Sequence, residues 1–99
     1  MVFEFAQLEI KPGTESAFEQ GIAKAAPIFQ RAKGCKGMKL LRSVEQPSHY
    51  TLMVTWETVD NHIVDFRNSE DFQAYRKHVG EFFASAPQVG HVQVAFPGF

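Results

Sequence analysis

His62 lies in the stretch WETVDNHIVDFRNS, three residues after Val59 and four before Phe66. At about 100° per residue, Val59, Ile63 and Phe66 make one apolar helical stripe, and the imidazole falls beside it. There it looks toward the space between the helix and its support rather than toward water. Loss of water lowers an imidazole pKa and keeps the ring neutral, the state that a general base needs. The same position also suits a plain helix-edge histidine hydrogen-bonded to a backbone carbonyl. Arg76 raises a similar question, because it shares a helical face with Phe72, Tyr75, Val79 and Phe83. A guanidinium on an apolar stripe must find an anion, a carbonyl or water. It could hold a substrate anion or a developing oxyanion, or it could extend outward to solvent or a carboxylate. Arg67, at the edge of the preceding helix, has the same two readings. Trp56, the single tryptophan, could stack on an aromatic ligand or fill the core, and Tyr75 could offer a hydroxyl or only pack.

Other chemistries find less support. His49, His78 and His91 stand apart from His62 with no H-E-x-x-H spacing, so no metal site is expected. No G-x-G-x-x-G, G-x-x-x-x-G-K-[ST] or G-x-S-x-G is present. The formal net charge is -1 and the basic residues are scattered, which argues against nucleic acid. No apolar run is long enough for a membrane span. The opening MVFEFAQLEIKPG alternates and carries two Glu, unlike a signal peptide. Cys35 is the only cysteine, so an internal disulfide is impossible and a reducing cytoplasm fits.

These residues need elements to position them. Ninety-nine residues suggest a single domain, 1–99. Residues 2–10 read as a strand with faces Phe3, Phe5, Gln7, Glu9 and Val2, Glu4, Ala6, Leu8, Ile10. Thr14 reads as the N-cap of a helix on which Phe18, Ile22, Ala25 and Phe29 share a face, with a kink or break expected near Ala23–Ala26 because of Pro27. Residues 35–44 and 49–57 read as an antiparallel hairpin across EQPS. Thr58 caps the helix that carries His62, and Ser69 caps the next one, which runs through Phe83 to ASAP. Residues 88–96 form a last strand. This βαββαβ order suggests an α+β, ferredoxin-like sandwich: a four-stranded antiparallel sheet with helices on one face.

Such a sheet has a second face, and several strands are apolar on both sides. The chain is 44% hydrophobic and has ten Phe, generous for a small interior. Leaving that face in water would expose a large apolar patch, and burial at about 25 cal/mol per Å² favours association. Two sheets packed face to face as a homodimer are the simplest closure. Which face of the second hairpin strand meets the partner, that of Leu52 or that of Met53, stays open.

The opening strand leading into KPG, the segment EQPSHYTLMVTWET, the segment NHIVDFRNSEDFQAYR and the closing FFASAPQVGHVQV together resemble the antibiotic biosynthesis monooxygenase family, over nearly the whole chain. The resemblance implies a dimeric α+β barrel with a pocket between sheet and helices in each protomer. It also implies oxidation of aromatic phenols or quinols by O₂ without flavin or metal, so no cofactor is expected. In that scheme a substrate proton is removed and the electron-rich anion reacts with O₂. His62 would be the base, and Trp56, Phe66 and Tyr75 the walls. Arg67 or Arg76 would steady the oxyanion. Haem-degrading proteins of similar fold use an Asn in the first strand, where this chain has Gln7. A non-catalytic dimer that binds a small molecule in the same pocket is the alternative, and a haem-binding protein a narrower one.

Overall fold

A computed structural model describes residues 1–99. Its elements are β1 (Val2–Glu9), α1 (Glu15–Gln30), β2 (Cys35–Arg42), β3 (His49–Trp56), a π-helical turn (Asn61–Phe66), α2 (Glu70–Val79), a 3₁₀ turn (Gly80–Phe82) and β4 (Gln88–Val92). The four strands form one antiparallel sheet in the order β2-β3-β1-β4, with α1 and α2 packed on a single face. This is the ferredoxin-like α+β sandwich.

The helix-side face of β1 carries Val2, Glu4, Ala6, Leu8 and Ile10, and that of β3 carries Tyr50, Leu52, Val54 and Trp56; all are buried. The opposite face holds Phe3 and Phe5 of β1, Met53 of β3, Leu41 of β2 and Val92 of β4, all partly or largely open. Leu52 therefore belongs to the interior, and Met53 marks the bare side. The apolar stripe of α1, Phe18, Ile22, Ala25 and Phe29, drives it onto the sheet. Gly21 lets α2 come close: a Cβ there would stand 2.5 Å from the His78 carbonyl oxygen.

Several local expectations are corrected. Helix α1 runs unbroken past Pro27, which lies near its C-terminal end. Thr14 stands before the first turn, but its hydroxyl donates to the Lys11 carbonyl instead of capping the helix. The last strand ends at Val92 and not at residue 96; Val92 faces Phe3, one residue from the start of β1, its only partner, so β1 is too short to pair a strand reaching residue 96. Phe83 lies beyond α2 and bridges to Ile10. Ser69 does cap α2, accepting the Phe72 N–H at 3.2 Å.

The largest difference concerns the segment with His62. It is a π turn, with the Arg67 N–H donating to the His62 carbonyl five residues back at 3.0 Å. The wider turn changes which side chains share a face. Asn61, His62 and Phe66 point inward, while Ile63 and Val64 are exposed, so Ile63 leaves the stripe expected of it. Thr58 and Asn61 cap the entrance reciprocally: Thr58 Oγ1 accepts the Asn61 N–H, and Asn61 Oδ1 accepts the Thr58 N–H, each at 3.1 Å. Gly34, in the left-handed region at φ +78, leaves room for that Asn61 amide, which a Cβ would strike.

Candidate functional site

The inward turn of His62 brings it over β1 and beside β3. Its ring stacks on Trp56, with centroids 5.4 Å apart and planes 16° from parallel. Its Nε2 stands 3.3 Å from Oε1 of Glu4, and its Nδ1 is 2.8 Å from Nε2 of His91 on β4. The indole N–H of Trp56 donates to the same Glu4 oxygen at 3.0 Å. Glu4 and His62 are each about 5% exposed or less. Register explains the meeting: Glu4 pairs with His91 across one edge of β1 and with Val54 across the other, one pleat from Trp56.

Burial sets the protonation of this cluster. Loss of water pushes the Glu4 carboxyl up to about 7, against the Trp56 hydrogen bond and the nearby Arg67 charge, which pull it down. Burial lowers His62 to about 4, helped by the positive field of Arg67 and by His91. His91 is lowered too, by burial and Arg67. Both rings are therefore neutral at neutral pH. Between two neutral rings one of the paired nitrogens carries the proton and the other accepts it; a His62 proton on Nε2, the nitrogen beside the Glu4 carboxyl, would make His91 the donor. The three side chains do not converge on a point as metal ligands would, because His62 spans between the other two with its opposite nitrogens.

The cluster opens onto a cavity of about 300 Å³ between β1 and α2. Glu4, Ala6 and Leu8 form its floor, and Phe72, Tyr75 and Phe83 its apolar wall. The π turn contributes His62 and Arg67, α2 adds Arg76, and Pro87 and Val89 close the β4 side. Of the residues singled out in the sequence, His62, Arg67, Tyr75 and Arg76 line this space together. Trp56 and Phe66 stand behind it: Trp56 is fully buried under His62, and Phe66 packs against Phe29, Trp56 and Phe72. Neither Arg67 nor Arg76 has a carboxylate within ion-pair distance, and the Arg76 guanidinium lies 5.9 Å from the Phe72 ring centre. Burial raises the Tyr75 hydroxyl well above its ordinary value, so it stays a neutral phenol.

Two members of the site were not singled out in the sequence. Glu4 was legible as an anomaly, a carboxylate among Val2, Ala6, Leu8 and Ile10 on one strand face. His91 carried no such signal, since its role depends on the register of β4 against β1.

Comparison with known proteins places this geometry in a family. The antibiotic biosynthesis monooxygenase family model matches residues 1–78. The uncharacterised Bacillus subtilis protein YczJ is 38% identical over 93 residues, covering 94% of this chain and 98% of YczJ. A Bordetella bronchiseptica protein assigned to the antibiotic biosynthesis monooxygenases superposes with a TM-score of 0.95 at 56% identity, covering 96% of this chain and 97% of that one. SnoaB, a cofactor-independent oxygenase from Streptomyces nogalater, shares the fold, with a TM-score of 0.82 at 18% identity over 98% of this chain and 95% of SnoaB. No helix is long and apolar enough to cross a membrane. With its family model matched over most of its length and a close relative of the same architecture, this chain belongs to the antibiotic biosynthesis monooxygenase family.

Proposed function

We propose that the protein is a cofactor-independent oxygenase acting on a small aromatic phenol or quinol in the cytoplasm. The observation that supports this most is the placement of a buried acid–base pair, Glu4 and His62, at one end of an apolar cavity that also carries two unpaired guanidiniums. The aromatic wall suits a flat ring and O₂. The Glu4–His62 pair takes the proton of the substrate hydroxyl, the role that the sequence reading gives to His62 alone. Arg67 or Arg76 steadies the resulting oxyanion. Electron density freed in the ring passes to O₂, and a C–O bond forms. The hydroperoxide, once protonated, loses water to leave a quinone carbonyl. Trp56 holds the imidazole from behind, with Phe66 packed against Trp56, and neither touches the substrate.

The bare sheet face completes the reading. Phe3, Phe5, Leu41, Met53 and Val92 share this face, and Val94 and Phe96, which follow β4, are exposed as well. A second copy packed on this face covers them, giving a homodimer whose pockets lie on its outer sides.

The test is spectroscopic. A nitrophenol titrated anaerobically into the protein, at a pH where the free phenol is neutral, should show the phenolate band on binding. His62→Ala should weaken that band. Binding of the neutral phenol alone, with no turnover of any quinol, would favour a binding protein over an enzyme.

A further inference from the structure

Glu4 differs from its partners in having an oxygen to spare. Oε1 receives the Trp56 N–H and faces His62 Nε2. Oε2 has no hydrogen-bond partner in the protein, yet no buried side-chain oxygen is sealed without one, so Oε2 opens onto the cavity that Glu4 lines. His62 differs in that its Nδ1 is engaged by His91, while its Nε2 stands 3.3 Å from Oε1 of Glu4.

From this geometry we infer that the atom exchanging a proton with the substrate is Oε2 of Glu4, and that Trp56, His62 and His91 are positioning residues: Trp56 donates to Oε1, and His91 holds the His62 ring beside it. The inference rests on the oxygenase reading for its substrate but not for its chemistry. In the step itself the substrate O–H bond breaks and the proton bonds to Oε2. The electron pair stays on the substrate oxygen, and Glu4 becomes a neutral acid whose Oε1 still accepts from Trp56. No imidazole changes tautomer, so the step needs no rearrangement of the buried rings. The same proton is then available to the peroxide formed later.

The groups facing Glu4 agree with this role. From the π turn come His62 and Arg67, and from α2 come Tyr75 and, across the cavity, Arg76. His91 approaches from β4 and Cys35 from β2. Only the arginines carry charge at neutral pH, and Arg67 is near enough to pull the carboxyl down. The desolvated carboxyl near 7 is matched to proton exchange at neutral pH, whereas an imidazole near 4 is a poor acceptor there.

Heteronuclear NMR of the full chain tests the assignment. The Glu4 carboxyl carbon should titrate near pH 7, while the ring nitrogens of His62 report the Nε2–H tautomer on both sides of that midpoint. His91→Phe should move the midpoint upward by releasing His62, and His91→Gln, whose amide can donate to Nδ1, should restore it. On binding the nitrophenol, phenolate should appear together with the protonated Glu4 signal, a coupling that a purely structural carboxyl would not show. Titration of Glu4 in the ordinary carboxylate range, a proton arriving on His62 instead of Glu4, or a midpoint indifferent to His91→Phe would each overturn the inference. Glu4→Gln, if folded, should bind the phenol without ionising it. Correct behaviour of Glu4 with no oxidation of any quinol would sink the oxygenase reading and leave the proton assignment standing.

Discussion

The Trp56 indole donates its N–H to Glu4 Oε1 at 3.0 Å, joining two residues from neighbouring strands on the helix-side face of the sheet. That hydrogen bond holds a carboxyl in a place where its charged form is disfavoured, and stability carries the consequence. The ordinary Glu value is 4.5 and the folded value about 7. Below pH 4.5 both states are protonated and nothing is lost. Between the two values only the unfolded chain ionises, so stability falls as pH rises, by about 3 kcal/mol in all. His62 acts in the opposite direction. Its value drops from 6.5 to about 4, so stability is lost as pH falls through that window. The two slopes offset one another between pH 4.5 and 6.5. Glu4→Gln should remove one slope, making the variant gain on the wild type steadily from pH 5 to pH 7. Urea denaturation across that range, at fixed protein concentration, measures it. A constant difference between the two would contradict the buried carboxyl.

His62→Ala removes the ring stacked on Trp56, strands the hydrogen-bonding capacity of His91 and leaves a gap beside Glu4. The expected cost is about 2–4 kcal/mol at neutral pH, from a cavity and lost polar partners together. The emission of the single tryptophan should shift as water reaches it. An unchanged denaturation midpoint would mean that the imidazole is not packed as described.

Gly34→Ala tests how the π turn is held. The left-handed backbone and the collision with the Asn61 amide act together, so a loss of about 1–3 kcal/mol is expected. Gly13, at φ +91 with open space around it, shares only the backbone strain and should lose less. Equal losses at the two sites would show that the Asn61 cap does not matter to the turn.

Much of this architecture is readable from residue order. The period-two faces of β1 and β3, the helical stripe of α1 and the Ser69 cap each follow from side-chain spacing. The π turn does not, because side-chain spacing cannot reveal one additional residue in the turn, and assuming 3.6 residues per turn sends Ile63 inward. Pro27 reads as a breaker because it gives up an intrahelical hydrogen bond, whereas the buried stripe of Phe18, Ile22, Ala25 and Phe29 carries α1 past it, a tertiary contribution that local spacing does not show. For the site, His62 stood out as a polar residue on an apolar stripe. Glu4 offered the same kind of signal on its strand. His91 required the register of β4, a tertiary fact.

The bare sheet face gives a prediction with two arms. Met53→Glu or Phe5→Glu places a charge on the side proposed to meet a second copy, so sedimentation should show folded monomers. Leu52→Glu places it in the interior, at 1% exposure, and should abolish folding instead. A wild-type chain that sediments as a monomer at all concentrations would remove the dimer.

Oxygen consumption with a panel of hydroquinones, comparing the wild type with Glu4→Gln and His62→Ala, tests the central claim most directly. The account predicts uptake above the uncatalysed rate by the wild type with at least one quinol, and a fall of about 10²-fold or more in Glu4→Gln, the usual worth of a positioned proton acceptor. His62→Ala should be impaired but not as severely, because it only orients that acceptor. Equal rates for all three folded proteins would contradict the account.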